Sequence, residues 1–339
     1  MPELRKDPVV GRWVIISTER ARRPSDFAGR DAALPAPPRP RACEFCPGRE
    51  ARTPDEVLAV RAGGGAPNST GWSVRVVPNK FPALRIEGEL EPSGGGLYDR
   101  ISGVGAHEVI IESPDHGAAL ATLPLEQIVD VLRAYRDRMR DLRRDPRFEY
   151  VIVFKNHGER AGASLEHPHS QLIATPTVPS TVEEELQGAL RHFRIKKRCI
   201  WCDIVHQERR GGGRVVVDGG GFVALAPFAP RFPFETWILP AEHRSSYEEL
   251  DGPGLAALAQ VLREVLGRMR RVLEDPPYNF MLHSAPLRGE ALDLYHWHLE
   301  IIPKLTPMAG FEWGTGCFIN PTPPEVAAQF LRGEVGGPS

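Results

Sequence analysis

Residues 128–146 read IVDVLRAYRDRMRDLRRDP, and residues 258–276 read LAQVLREVLGRMRRVLEDP. In the first stretch Ile128, Val131, Leu132, Tyr135, Met139 and Leu142 recur at the spacing of one helix face. In the second, Leu258, Val261, Leu262, Val265, Met269 and Val272 repeat that stripe 130 positions later. Val131-Leu132-Arg133 matches Val261-Leu262-Arg263 in this register, and Arg138-Met139-Arg140 matches Arg268-Met269-Arg270. Each stripe ends before an Asp-Pro pair, 145–146 and 275–276, where a helix should have stopped. The spacing predicts helices over about 125–144 and 255–273, two copies of one unit.

The repeat extends outward from the helices. HEVIIESPDH (107–116) parallels FETWILPAEH (234–243), each with Glu second and His last. Downstream come two apolar runs with strand character, 150–154 and 278–282. HPHSQLIATP (167–176) then parallels HWHLEIIPKL (296–305). Upstream of each set lies a CxxC pair, Cys43/Cys46 and Cys199/Cys202. Each half thus reads CxxC, strand, His, helix, strand, His-x-His, strand. The reading is α+β: two tandem domains, 1–180 and 190–320, of antiparallel sheet with packed helices, followed by a tail over 321–339. A further short strand is expected at 215–217, between glycine-rich turns.

The 339 residues are 41% hydrophobic and 25% charged, with a net charge of −2. That composition is globular and argues against a general nucleic-acid or membrane-surface role. No signal-like or membrane-spanning run is evident, so a cytoplasmic setting is expected. In a reducing compartment paired CxxC motifs suit metal or redox chemistry better than disulfides. Cys317 has no neighbour in sequence and reads as a packing residue.

Cys43, Cys46, His116 and His167 form one candidate ligand set, and Cys199, Cys202, His243 and His296 the other. Two thiolates and two imidazoles suit tetrahedral structural zinc, two ions per chain. Neither CxxC is expected to open a helix in the thioredoxin manner. The alternative, small buried cysteines and satisfied core histidines, explains neither the spacing nor its recurrence.

Within HPHSQ, residues His167, His169 and Gln171 share one strand face. A metal on His167 would fix the strand and so aim His169. A neutral imidazole attacks phosphorus through one nitrogen while the other keeps its proton, commonly on a backbone carbonyl. Gln171 could donate to a phosphoryl oxygen. The competing reading makes His169 a second ligand or a packing residue. The second half has His298 and Glu300 in the equivalent places, and a carboxylate there would repel phosphate. Only the first half is expected to be catalytic.

GRWVIISTERARRP (11–24), PNKFPAL (78–84), SPDH (113–116), HPHSQ, RFPFETWILPAEH (231–243) and HWH together resemble the galactose-1-phosphate uridylyltransferase family, of the histidine-triad superfamily. The resemblance covers nearly the whole chain. It implies two histidine-triad-like domains and a ping-pong transfer of a nucleoside monophosphate through His169. The substrates would be a nucleotide sugar and hexose 1-phosphate. It also implies that Asn79 sits in a nucleotide loop and that Asn156, Gly162, Ser164 and Gln171 hold the transferred phosphoryl group. Arg20 and Arg23 would meet phosphates, reaching across a homodimer; otherwise they are a solvated basic patch.

Three departures point toward the ADP-glucose phosphorylase subfamily, which uses adenine and inorganic phosphate. The nucleotide loop reads Asn79-Lys80 rather than Asn-Asp. Thr315 and Gly316 replace a Tyr-Glu pair. A second CxxC replaces a carboxylate-containing metal site, although Glu185, His283, His296 and His298 also match that older pattern. A histidine-triad nucleotide hydrolase and a non-enzymatic double zinc module are the other readings.

Overall fold

The computed structural model describes residues 2–17, 24, 27, 43–290 and 292–335. Arg20 and Arg23, expected to meet phosphates, lie outside the described residues. In chain order the first half contributes β1 (Glu3–Lys6), β2 (Trp13–Ile16), β3 (Leu58–Arg61), β4 (Trp72–Pro78), the hairpin β5 (Ser93–Gly95) and β6 (Tyr98–Arg100), β7 (Ala106–Ile111), α1 (Leu125–Leu142), β8 (Tyr150–His157) and β9 (His169–Thr175). There follow α2 (Ser180–Lys196), α3 (Ile200–Gly211), β10 (Val215–Gly219), β11 (Phe222–Leu225), β12 (Thr236–Pro240), α4 (Gly252–Leu273), β13 (Tyr278–His283) and β14 (His298–Pro303). The chain closes with α5 (Gly310–Thr315), β15 (Phe318–Asn320) and α6 (Pro324–Arg332).

Ten of the strands form one sheet in the order β10-β11-β12-β14-β13-β8-β9-β7-β4-β3. Read from either edge, five strands of one half appear in the same chain order: first, second, third, fifth, fourth. The two copies meet at β8 and β13, which pair antiparallel with Asn279 opposite Asn156. A separate three-stranded sheet ties the N-terminal segment to the C-terminal one, since β15 runs parallel to β2 with Phe318 opposite Val14.

The alternation along each strand decides what each face carries. In β9, Leu172 and Ala174 point to one face and are fully buried, while His169, Gln171 and Ile173 point to the other. The first face packs on α1 and α4, whose apolar stripes the repeat had marked. Ile128, Val131, Leu132, Tyr135, Met139 and Leu142 of α1 are all buried, as are Leu258, Val261, Leu262, Val265 and Met269 of α4. Burying each such side chain contributes about 1.5–3 kcal/mol before ordering costs. Helix α4 is capped by Asp251, whose carboxylate accepts from the Gly254 amide at 2.8 Å, with Pro253 in its first turn.

Three elements differ from the sequence reading. Cys199 is the residue from which α3 starts, so the second CxxC does open a helix. Ile200, Trp201, Val205 and Glu208 form the buried side of α3, a stripe short enough to be missed between two loops. Helix α2 spans the interval left unassigned between the two halves, 181–189, and runs on into the second. Residues 321–339, read as a tail, contain α6, whose Ala327, Ala328, Phe330 and Leu331 join the main core.

Candidate active site and metal centres

The polar sheet face gathers the candidate chemistry. The loop before β9 brings His167 against β7's continuation at Ser113 and His116. Nδ1 of His167 lies 3.3 Å from Nδ1 of His116 and 3.7 Å from Sγ of Cys46, and Cys46 lies 3.5 Å from His116. A tetrahedral zinc with ordinary Zn–S and Zn–N bonds has S···N edges of about 3.6 Å and N···N edges of about 3.3 Å. Cys43 completes the group. His167 donates its other ring proton to the Ser113 carbonyl at 2.8 Å, the outer contact that orients a ligating imidazole.

The second set has the same build. Cys202 lies 3.5 Å from Nδ1 of His243 and 3.7 Å from Nδ1 of His296, and Cys199 lies 3.9 Å from the latter. The far nitrogens of His243 and His296 face the carbonyls of Asp293 and Pro240 at 2.6 and 3.0 Å. The alternative four-residue carboxylate pattern is not assembled as such, because His296 turns to the thiols. Glu185, His283 and His298 do converge, with their donor atoms within 4.8 Å of one another.

Two residues beyond His167, His169 is 7% exposed and its Nδ1 sits 2.8 Å from the His167 carbonyl. That bond holds the proton on Nδ1 and leaves Nε2 free. Burial above all, with the Lys155 ammonium behind it, keeps this imidazole below its usual range and so neutral. Phe45, inside the first CxxC, packs edge-on against both His167 and His169 with ring centres 6.0 and 5.6 Å away. Behind the strand, Lys155 is 2% exposed; it donates to Glu112 at 2.7 Å and to the His169 carbonyl at 3.0 Å. Glu112 in turn accepts from Ser170 and Tyr135.

His169 borders two recesses. One, about 450 Å³, is lined by Asn156, Gly158, Ala163, Ser164 and Leu165. Asn279 braces it from the second half, donating to Asn156 at 2.8 Å and to the Ala161 carbonyl at 2.8 Å, while Asn156 donates to the Gly162 carbonyl at 3.4 Å. The other, about 290 Å³, is an apolar slot between Phe45, Val77, Phe81, Val109 and Leu165, with Asn79, Lys80 and Gln171 at its edges. Lys80 pairs with Glu44 at 3.2 Å on the open rim. A larger groove of about 960 Å³ runs between Arg12, α2 and Cys317. Neither candidate metal set nor His169 lines it, so size does not mark the reactive centre; Cys317 lies on its wall instead of in the core.

The equivalent place in the second half is closed. His298 makes the same bond, Nδ1 to the His296 carbonyl at 3.1 Å, yet it is 1% exposed among the rings of Trp201, Trp237 and Tyr295. Glu300, in Gln171's place, is buried. Although burial opposes its ionisation, Arg231 at 2.5 Å together with His283 and His298 holds its carboxyl down to about 2.

Sequence reasoning singled out His169, Gln171, Asn79, Asn156, Gly162 and Ser164; Asn156 lines the first recess, Asn79 and Gln171 the second, His169 and Ser164 both, and the Gly162 carbonyl accepts from Asn156. It missed Phe45, His107, Glu112, Lys155 and Asn279. Of these Phe45 carried a local signal in its place between the two cysteines, and His107 and Glu112 in the repeated segment 107–116.

Residues 1–179 match the model of the galactose-1-phosphate uridyl transferase N-terminal domain, and residues 105–332 match a domain family of unknown function. The chain is 40% identical over 335 residues to ADP-glucose phosphorylase of Arabidopsis thaliana, spanning 98% of this chain and 92% of that protein. It is 31% identical over 341 residues to galactose-1-phosphate uridylyltransferase of Thermotoga maritima, spanning 98% of each. The crystal structure of an Arabidopsis thaliana ADP-glucose phosphorylase with bound ADP-glucose superposes with a TM-score of 0.82 at 37% identity, covering 99% of both chains.

Proposed function

Because this chain belongs to the galactose-1-phosphate uridylyltransferase family and is a nucleotidyltransferase of that kind, we propose that it moves a nucleoside monophosphate from a nucleotide sugar to a phosphate acceptor through a covalent bond to His169. The observation that carries this reading is the bond from His169 Nδ1 to the His167 carbonyl, which leaves Nε2 unprotonated between two recesses. In the first step Nε2 attacks the phosphorus of the nucleoside monophosphate; an N–P bond forms, the P–O bond to hexose 1-phosphate breaks, and the sugar phosphate leaves with the electron pair. In the second, an oxygen of the acceptor phosphate attacks the same phosphorus and the N–P bond breaks. The proton stays on Nδ1 throughout, donated in a hydrogen bond to the His167 carbonyl, so the imidazole ends each cycle neutral.

The apolar slot beside Phe45 and Phe81 takes the base, and the recess beside Asn156, Gly162 and Ser164 takes the departing and incoming phosphates. Gln171 donates to a phosphoryl oxygen as charge develops there. Zinc in the two Cys-Cys-His-His sets, one per half, is structural: the first set holds the loop that delivers His167 and His169. Reduced thiol ligands fit a cytoplasmic setting, and no helix among the described residues is long and apolar enough to cross a membrane. A homodimer in which Arg20 or Arg23 reaches the neighbouring site is part of this proposal.

Two acceptors remain in play. The uridylyltransferase reading uses hexose 1-phosphate. The ADP-glucose phosphorylase reading uses inorganic phosphate, and Lys80 in place of an acid on the nucleotide loop, together with the Arabidopsis relative, favours it. Incubation with UDP-glucose and ADP-glucose, each labelled in the transferred phosphate, tests both: an acid-labile, base-stable label on the parent that is absent from His169→Gly supports the mechanism. The donor that labels, and the acceptor that discharges the label, decide between the readings. Label that persists in His169→Gly would show that another group is the nucleophile.

A further inference from the structure

His107 opens the motif HEVIIESPDH, yet the mechanism above gives it no task. On β7 it pairs with Ile173 of β9, which sets its side chain diagonal to Gln171 on the same sheet face. Its imidazole lies between Gln171 and the nucleotide loop. Nδ1 is 3.0 Å from the backbone nitrogen of Ala83, and Nε2 is 2.8 Å from Oε1 of Gln171.

The proton positions follow from groups that can only donate. The Ala83 amide is a donor, so Nδ1 of His107 accepts and the ring proton sits on Nε2. That proton requires an acceptor, which makes the facing atom of Gln171 its oxygen. Asn79 is compatible with this. Its Oδ1 accepts from the Phe81 amide at 2.9 Å, so its NH2 end faces inward, 3.1 Å from Nε2 of His107 and 3.5 Å from the same Gln171 oxygen. The short contact to the Gln171 oxygen is therefore the one from Nε2–H of His107, at 2.8 Å. The NH2 end is left at the edge of the slot that His169 also lines, where a phosphoryl oxygen needs a donor. The backbone adds a third tie, from the Asn79 amide to the His107 carbonyl at 2.7 Å.

We propose that His107 is a positioning residue with two separable duties: its Nε2–H fixes the Gln171 amide with the donor end toward the transferred phosphoryl group, and its Nδ1 tethers the nucleotide loop at Ala83. This rests on the nucleotidyl-His169 reading. It makes the loop that meets the nucleoside and the donor that meets the phosphorus a single unit joined through one ring.

The two nitrogens can be tested apart. The Oδ1 of an asparagine overlays Nδ1 of histidine, and the Nε2 of a glutamine overlays Nε2. His107→Asn keeps the loop tether and loses the donor to Gln171; kcat should fall about 10–100-fold, with KM within about twofold of the parent. His107→Gln keeps the donor and loses the tether; KM should rise about fivefold or more, with kcat within about threefold. The single-turnover rate of labelling at His169 should follow kcat in both. A merely structural role predicts instead that both variants lose stability and shift kcat and KM together. That result, or failure of both variants to fold, would overturn the proposal. So would His107→Asn labelling at the parent's rate in an enzyme whose parent labels normally, which would leave the His169 mechanism standing. A parent that takes no label would overturn both.

Discussion

The carbonyl oxygen of His167 lies 2.8 Å from Nδ1 of His169, while the imidazole of His167 faces Cys46 and His116. One residue thus joins the candidate metal set through its side chain and takes the Nδ1 proton of the proposed nucleophile on its backbone. A metal held there and the imidazole of His169 would not be independent.

Cys43→Ser should remove one zinc per chain and slow labelling at His169 at least tenfold, since the loop carrying the His167 carbonyl loses its anchor. Cys199→Ser should remove the second zinc and lower the thermal midpoint while labelling continues, because that set lies in the other half. Elemental analysis with a labelling assay reads both. If Cys199→Ser still holds two metals, Glu185, His283 and His298 are holding one of them.

Lys80→Asp should shift the preference of labelling from ADP-glucose toward UDP-glucose by about tenfold if the rim of the slot reads the nucleoside. Lys80 is half exposed, paired with Glu44 and lying 6.0 Å over the Phe81 ring, so its loss should cost less than about 1 kcal/mol of stability. Equal use of both donors by parent and variant would show that the loop does not select the base.

Gly188 of α2 lies directly on the backbone of Val9, and a Cβ there would stand 1.9 Å from the Val9 oxygen. The helix can cross the N-terminal segment only without a side chain. Gly188→Ala should destabilise by about 2–3 kcal/mol, read as a lower urea midpoint. A midpoint equal to the parent's would mean that the segment moves aside freely.

The Glu56 carboxylate, its side chain mostly covered, meets Arg61 and the buried Arg75 at 2.7 and 2.9 Å, and the three tie the segment after the first CxxC to β4. Burial opposes its ionisation, but the hydrogen bonds from the two guanidinium groups hold its carboxyl down at about 2, below an unfolded value near 4.5. A depressed folded pKa stabilises above the unfolded pKa and ceases to do so as pH falls through the folded one. Glu56→Gln should therefore cost about 2–3 kcal/mol at pH 7. The gap between parent and variant should narrow from about pH 4.5 down to pH 2. A gap independent of pH in urea titrations would show that charge contributes nothing there.

The helices α1 and α4 were legible because burial on a sheet imposes a stripe that a sequence carries openly. The two ligand sets were legible because thiolates reach one ion only at short spacing, and the duplication confirmed the frame. Helix α2 was not, since its buried side is Val182, Glu185, Gly188 and Ala189, which reads as polar without its neighbours. His107, Lys155 and Asn279 act across strand pairs remote in sequence. Their partners are set by sheet register, and register between β7, β8, β9 and β13 is invisible along the chain.

The seam between β8 and β13 bears on how such a chain can be divided. Asn279 crosses it to brace the loop that carries Gly162, and the ladder there runs from Tyr278 to Leu282. Cut between the halves, the first would end in a bare strand edge, with the loop that carries Gly162 short of one support. An exposed edge of that length invites another strand. The least costly repair is a second copy of the same half, laid antiparallel where β13 had been. The second half thus stands, covalently attached, where such a partner would lie, and what the first half needs from it is the edge.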